Sequence, residues 1–243
     1  MTAAAPVPDD DLLPSIDRNL EAFARLVAQV ADDRDPDSVN PGPAATIPAP
    51  AALFAVGAGG SAVWTRAHAD FELEAVLPHA GFTLVVDLPV MILSARPATV
   101  APLPPGVEIR RVVDASGAAD LRVAELHAYA GTDQERTAAQ ALFEDPARLL
   151  QRRLAAFVGY LDGVPAAAAL SFTYGGVIRI AWVGTVPWHR RRGLGGLVTQ
   201  AAARAGFESG ARCAVLEASP MGESVYRAMG FREVTRYRVW LSG

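Results

Sequence analysis

The sequence predicts a mixed α/β fold, and three observations carry that expectation. Residues 107–243 read as alternating apolar strand and helix segments in the order β-α-α-β-β-β-α-β-α-β, the pattern of a mixed sheet with flanking helices. Asp162-Gly163 separates two apolar runs, a strong signal for a tight hairpin. The run T-V-P-W-H-R-R-R-G-L-G-G, from Thr185 to Gly196, stands between a β-rich stretch and an apolar helical pattern.

The first half is less regular. Residues 1–14 are rich in Asp, Pro and Ala, the composition of a disordered tail. Ser15 to Ala31 reads as an amphipathic helix with Ile16, Leu20, Phe23, Val27 and Val30 on one face. Asp, Pro and Gly residues then end it. Ala51 to Trp64, apolar and interrupted by glycine, reads as a hairpin. Asp70 to His79 reads as a short helix with Gly81 as its C-cap, and Phe82 to Leu93 as a strand or strand pair. Four prolines in the eleven residues from Arg96 to Gly106 make that stretch an extended connector. The expected organisation is a tail (1–14), a smaller α+β domain (15–95), a linker (96–106) and a main domain (107–243).

In the main domain, Val107 to Val113 is a predicted strand and Ala115 to Ala130 a helix with Leu121, Val123, Leu126 and His127 turned inward. Asp133 caps a further helix through Phe143, and Pro146 restarts helical pattern to Arg153. Strands Ala155 to Leu161, Val164 to Tyr174 and Val177 to Val186 follow, joined by Asp162-Gly163 and Gly175-Gly176. Helix 194–209 ends at Gly210. A strand from Cys213 to Ala218, a helix from Gly222 to Met229 capped by Gly230, and a strand from Phe231 to Leu241 complete the chain.

Composition narrows the function classes. Apolar residues make up 51% of the chain, enough for a sizeable core, and no unbroken apolar run reaches the ~18 residues of a membrane span. Acids stand at the N-terminus where a secretory signal would be basic and then apolar. The single cysteine, Cys213, can form no intrachain disulfide. Both features point to a reducing cytoplasm. Residues 1–104 hold 5 Arg against 13 acids, and residues 105–243 hold 17 Arg against 13 acids, so an anionic ligand favours the second half. A formal charge of −4 argues against nucleic acid as a partner. His68, His79, His127 and His189 are scattered without ligand spacing, so no metal site is expected. Cys213 reads as a buried strand residue.

The arginine–glycine run has the chemistry of a diphosphate cradle. The first turn of a helix offers N–H groups without intrahelical partners, and the dipole adds positive potential. Gly193, Gly195 and Gly196 allow close backbone approach, and Arg190, Arg191 and Arg192 add charge. A Rossmann dinucleotide site fits poorly, because the third glycine is replaced by Val198 and no acid follows about 20 residues on. A nucleoside-triphosphate loop would need a lysine, and the chain has none.

Set beside the C-terminal run, these residues resemble the GCN5-related N-acetyltransferase (GNAT) superfamily. Its acyl-CoA signature, Gln/Arg-x-x-Gly-x-Gly/Ala, is matched by R-R-R-G-L-G from Arg190 to Gly195, with Pro187 three residues ahead. A second signature, a tyrosine four residues before Gly-Phe, is matched by Tyr226 and Gly230-Phe231. The resemblance covers residues 105–243. It implies a mixed sheet of the acyl-CoA N-acyltransferase type and transfer of an acetyl group from acetyl-CoA to a primary amine by direct attack in a ternary complex.

Roles follow for individual residues. The resemblance implies that the backbone of Val183, Gly184 and Thr185 pairs with the pantetheine arm. Arg190, Arg191, Arg192, Gly193, Leu194, Gly195 and Gly196 would wrap the diphosphate, and Ser219 would touch the cofactor or cap the final helix. Tyr226 would protonate the departing thiolate, or simply pack. Glu217 is the first candidate for the general base, with His127 and Asp133 as alternatives. The acceptor is a small-molecule or protein amine, with the chain a monomer or homodimer, no metal and no membrane. Phe71 to Phe82 faintly echoes the late helix and Gly-Phe segment of the same superfamily, so the first half reads as a degenerate GNAT-like unit that binds no cofactor. A non-catalytic acyl-CoA sensor or scaffold with the same fold is the alternative function.

Overall fold

In the computed structural model, residues 9–32, 62–96, 102–129, 143 and 145–242 are described. In chain order the elements are α1 (Asp9–Asp32), β1 (Ala62–Arg66), α2 (Phe71–Val76), β2 (Phe82–Leu93), β3 (Val107–Arg111), α3 (Ala115–Ala128), α4 (Pro146–Leu149), β4 (Leu154–Leu161), β5 (Val164–Tyr174), β6 (Val177–Thr185), α5 (Leu194–Glu208), β7 (Cys213–Glu217), α6 (Glu223–Ala228) and β8 (Arg232–Ser242). The expected tail over residues 1–8, the hairpin over 51–61, the linker over 97–101 and the helix capped by Asp133 lie outside the described residues. So do the side chains of Val27 and Val30.

All eight strands join one sheet, in the order β1-β8-β2-β7-β6-β5-β4-β3. Neighbours are antiparallel except β6 and β7, which run parallel. β2, from the first half of the chain, lies between β8 and β7, both from the second half. The boundary expected at 96–106 is therefore no boundary in the sheet. Phe82–Leu93 is one long strand, bulged between Leu84 and Val86 and between Val90 and Met91.

Alternation along each strand gives the sheet two apolar faces. On one, Leu194, Val198 and Ala202 of α5 and Tyr226 of α6 pack on Ile178, Ile180, Ala214 and Leu216. On the other, Leu12, Ile16 and Leu20 of α1 cover Val90, Val177, Val215 and Tyr237. Phe23 of α1 continues that face toward α3, where it meets Phe172 and Trp182 at 5.3 Å between ring centroids.

Two local expectations need correction. α1 starts at Asp9 rather than Ser15 and includes Pro14; a run of acids in the sequence at a helix start favours helix over tail there. In α3 the buried side is Ala118, Leu121, Ala124, Glu125 and Ala128, whereas Val123 and Leu126 are 44% and 43% exposed and His127 is exposed. The alanines let the helix lie close on the sheet. A Cβ at Gly184 of β6 would stand 2.6 Å from that of Ala128. Val123 and Leu126 instead line an open hollow of about 400 Å³ with Arg122, Phe143 and Pro146.

The turns follow their residues. Asp162 and Gly163 have φ of 51° and 80°, the left-handed pair of a type I′ hairpin, and Gly81 caps the turn after α2 at φ 83°.

Packing of α5 against β6 generates a stability prediction. A Cβ on Gly206 would stand 1.9 Å from Cδ1 of the buried Ile178. Gly206→Ala should destabilise the chain by about 1–3 kcal/mol in urea unfolding, and adding Ile178→Val should recover part of the loss.

Buried acids set the alkaline limit. Burial pushes the Cys213 thiol up to about 11 and the Tyr226 hydroxyl up to about 12. Both groups hold their protons more tightly folded than unfolded, so their contribution is complete below about pH 9 and is lost as pH rises through 11 to 12. Thermal unfolding midpoints should therefore be insensitive to these groups near neutrality and fall above pH 9, with Cys213→Ala removing part of the decline.

Candidate active site

β6 and β7 are hydrogen-bonded over only three residue pairs, Val177 with Cys213, Ile178 with Ala214, and Arg179 with Val215. β6 then continues to Thr185 and β7 to Glu217 without pairing each other. A bulge helps part them. The register of β6 on β5 slips between Gly184 and Ala181, and Trp182 inside that slip has φ 49°. Its indole packs against Phe23 and Phe143, which fixes the kink from the α1 and α3 side. The result is a gap between two parallel strands in mid-sheet.

The predicted backbone segment borders that gap. Tyr129, just beyond α3, donates its hydroxyl to the Val183 carbonyl at 3.1 Å. The Arg190 guanidinium folds back, donating from Nε to the Thr185 carbonyl at 3.1 Å and from Nη2 to the Ala128 carbonyl at 3.3 Å. Arg190 thus ties the end of β6 to the end of α3, a different role from the expected diphosphate contact.

The loop itself has an open cradle. After a 3₁₀ turn over Pro187–His189, Arg191 and Gly193 take left-handed φ of 65° and 78°. α5 starts at Leu194 with no side chain capping its N-terminus. Leu194 is buried and anchors the turn, while Arg191, Arg192 and Gly193 are exposed. The uncapped N–H groups of the first turn remain for an anion. A Cβ on Gly193 would meet nothing within 4 Å, so the space beside the loop is free.

Tyr226 lies on the same face of the sheet as α5. It is 8% exposed, its ring meets Phe231 at 5.9 Å, and Gly222 stands so close that a Cβ there would lie 2.8 Å from Cε2. Burial pushes its hydroxyl up to about 12, with a hydrogen bond to Thr199 of α5 acting in the opposite direction. The hydroxyl is therefore a proton donor throughout the neutral range.

Glu217 is on the opposite face. Cys213, Val215 and Glu217 alternate with Ala214 and Leu216, which face α5. The Glu217 side chain is 17% exposed and forms an ion pair with Arg179, which is completely buried. The loop and Tyr226 thus lie on one face of the sheet and the Glu217 carboxylate on the other.

Other candidates fall outside this arrangement. Ser219 is exposed and accepts the Gly222 N–H at 3.2 Å, closing the turn ahead of α6. His127 meets Trp188 edge-on at 5.3 Å on the outer side of α3. Asp133 lies outside the described residues. Sequence reasoning passed over Arg179, although one arginine inside V-I-R-I-A-W-V was a visible signal for a buried charge needing a partner.

A single mixed sheet that parts beside an uncapped helix N-terminus defines the acyl-CoA N-acyltransferase type of fold. Residues 120–231 match the model of the Acetyltransferase (GNAT) family. Among solved structures, a GCN5-related N-acetyltransferase from Kribbella flavida is 27% identical, with TM-score 0.59, over 74% of this chain and 67% of that one. One from Sphaerobacter thermophilus is 20% identical, with TM-score 0.57, over 75% and 60%. A tandem GNAT protein from the clavulanic acid biosynthesis pathway is 18% identical, with TM-score 0.55, over 75% and 63%. The last two speak for the fold alone. Comparison with curated protein sequences gives no match. Among the described residues no helix is long and apolar enough to cross a membrane.

The folded-back Arg190 generates a stability prediction. Arg190→Ala should lower the unfolding free energy by about 1 kcal/mol, the value of the tie it provides, as urea unfolding of the variant would report.

Proposed function

We propose that this chain is an N-acetyltransferase that moves an acetyl group from acetyl-CoA to a primary amine by direct attack in a ternary complex. The observation that carries this reading is the uncapped first turn of α5 behind the Arg191–Gly193 loop, set beside the gap between β6 and β7 with Tyr226 on the same face. The diphosphate would take the N–H groups of Gly193 to Gly196 with Arg191 and Arg192 around it. The backbone of Val183 to Thr185 would line the pantetheine arm, and the thioester would reach the gap.

The acceptor would then approach from the opposite face, where Glu217 stands. The ammonium first gives one proton to Glu217, directly or through one water, and Glu217 passes it to solvent. The neutral amine nitrogen then forms a bond to the thioester carbonyl carbon, and the C–S bond breaks as the tetrahedral species collapses. The surplus proton left on that nitrogen goes to Glu217 by the same route. Tyr226 gives its proton to the departing thiolate, and a hydroxyl held protonated to about pH 12 suits that task. The echo in residues 71–82 fits a first half that shapes the acceptor side and binds no cofactor itself. A non-catalytic acyl-CoA binder is the second reading, and the burial of Tyr226 with its bond to Thr199 is the observation in its favour.

Acetyl-CoA at about 100 times its dissociation constant should stabilise the chain by about 2.7 kcal/mol, a rise of about 5–10 °C in unfolding midpoint. Thiol release with putrescine, lysine and glucosamine as amine probes separates enzyme from sensor. Tyr226→Phe and Glu217→Gln should each lower kcat/KM about 10²-fold or more without weakening acetyl-CoA binding. A Tyr226→Phe enzyme as fast as the unaltered chain at every pH would remove the tyrosine from the mechanism.

A further inference from the structure

Arg179 is completely buried in an otherwise apolar strand. An ionised group there is costly unless its charge and donors are matched. Glu217 matches the charge through Nη1. Asn19 of α1 accepts from Nε at 3.2 Å, and the Tyr237 hydroxyl of β8 interacts with the same guanidinium, whose Nη2 has no hydrogen-bond partner among the described residues.

Asn19 has little freedom to do anything else. It is itself completely buried, and Nδ2 donates to the Tyr174 carbonyl at 3.1 Å and to the Val177 carbonyl at 2.9 Å, at the turn between β5 and β6. With both amide hydrogens held by fixed backbone carbonyls, Oδ1 is presented to Arg179 in one orientation. The same helix holds Tyr237, whose hydroxyl donates to Asp17 at 3.0 Å. Asp17 in turn is fixed by Arg66 Nη1 at 2.8 Å and lies 3.2 Å from His68 Nε2. The guanidinium is therefore held from two sides by one helix.

Glu217 is the opposite case. Arg179 engages its Oε1, and among the described residues Oε2 has no protein partner. Its pairing partner across the ladder is Val90 of β2, which offers no competing donor.

We propose that Asn19 and Arg179 are positioning residues of the acceptor site. They fix one oxygen of Glu217 so that the other is presented at the gap to an acceptor amine arriving as an ammonium. This inference rests on the reading of Glu217 as the amine-facing carboxylate. It makes α1, at the far N-terminal side of the chain, a working part of a site whose other residues all come from the second half.

The test uses the full chain. Asn19→Leu, Arg179→Met, Arg179→Lys and Glu217→Gln are compared by thiol release with putrescine, lysine and glucosamine, by the KM for acetyl-CoA, and by a crystal structure of the Asn19→Leu variant. Asn19→Leu should lower kcat/KM for the amine at least tenfold, chiefly through KM, with the acetyl-CoA KM within twofold of the unaltered chain. Glu217 should be displaced from the gap in its structure. Arg179→Lys should retain more amine activity than Arg179→Met; if the Arg179 variants do not fold, Asn19→Leu decides alone. An Asn19→Leu chain with Glu217 in place and an unchanged amine KM overturns the proposal, as does an equal rise in both KM values. The crystal structure bears on positioning even if none of the three amines is acetylated. Full activity of Glu217→Gln would instead remove the role of Glu217 itself, a failure distinct from Glu217 keeping its place when Asn19 is lost.

Discussion

The structure depends on β6 and β7 pairing briefly and then parting. A parallel ladder that ends after Arg179 and Val215 would leave backbone groups and side chains without neighbours in mid-sheet. The chain meets that problem with three local devices. Trp182 takes a left-handed φ and buries its indole against Phe23 and Phe143. Tyr129 and Arg190 take up carbonyls along the freed edge of β6. Arg179 and Glu217 bridge the two strands at the point of parting. Each device borders the gap without filling it, so the opening persists as a feature of the fold.

The two faces of that opening differ in character. Toward α5 the packing is apolar, and the first turn of α5 carries uncapped N–H groups. Toward α1 the walls carry a buried guanidinium and its carboxylate. A donor with a diphosphate and a long neutral arm suits the first face, and a cationic amine suits the second. Alternation along β7 produces this separation directly, since Leu216 and Glu217 are adjacent in sequence and face opposite ways.

Much of the fold was legible from sequence because its punctuation is local. Asp162-Gly163, Gly175-Gly176, Gly210 and Gly230 mark element ends wherever a positive φ is required, and all take one. The strand end, turn and helix start around Gly193 were legible for the same reason, since they occupy a short window. What could not be read was long-range. The inward face of α3 depends on how closely the helix meets Gly184, which favoured Ala124 and Ala128 over Val123 and Leu126. The fold-back of Arg190 depends on where α3 ends. The Asn19–Arg179–Glu217 chain joins residues about 160 and 38 positions apart, and no periodicity within one element registers such a link.

The position of β2 explains why the first half cannot be treated as an appendage. β2 pairs with β7 through Val90 to Leu93 and with β8 along most of its length. Without it, β7 would be an edge strand and Glu217 would have an open ladder on its outer side. α1 lies over the same strands through Leu12, Ile16 and Leu20, and its Asn19 reaches the guanidinium that holds Glu217. Among the described residues the first half therefore supplies both Val90, the in-plane neighbour of Glu217, and Asn19, which holds the arginine paired with it.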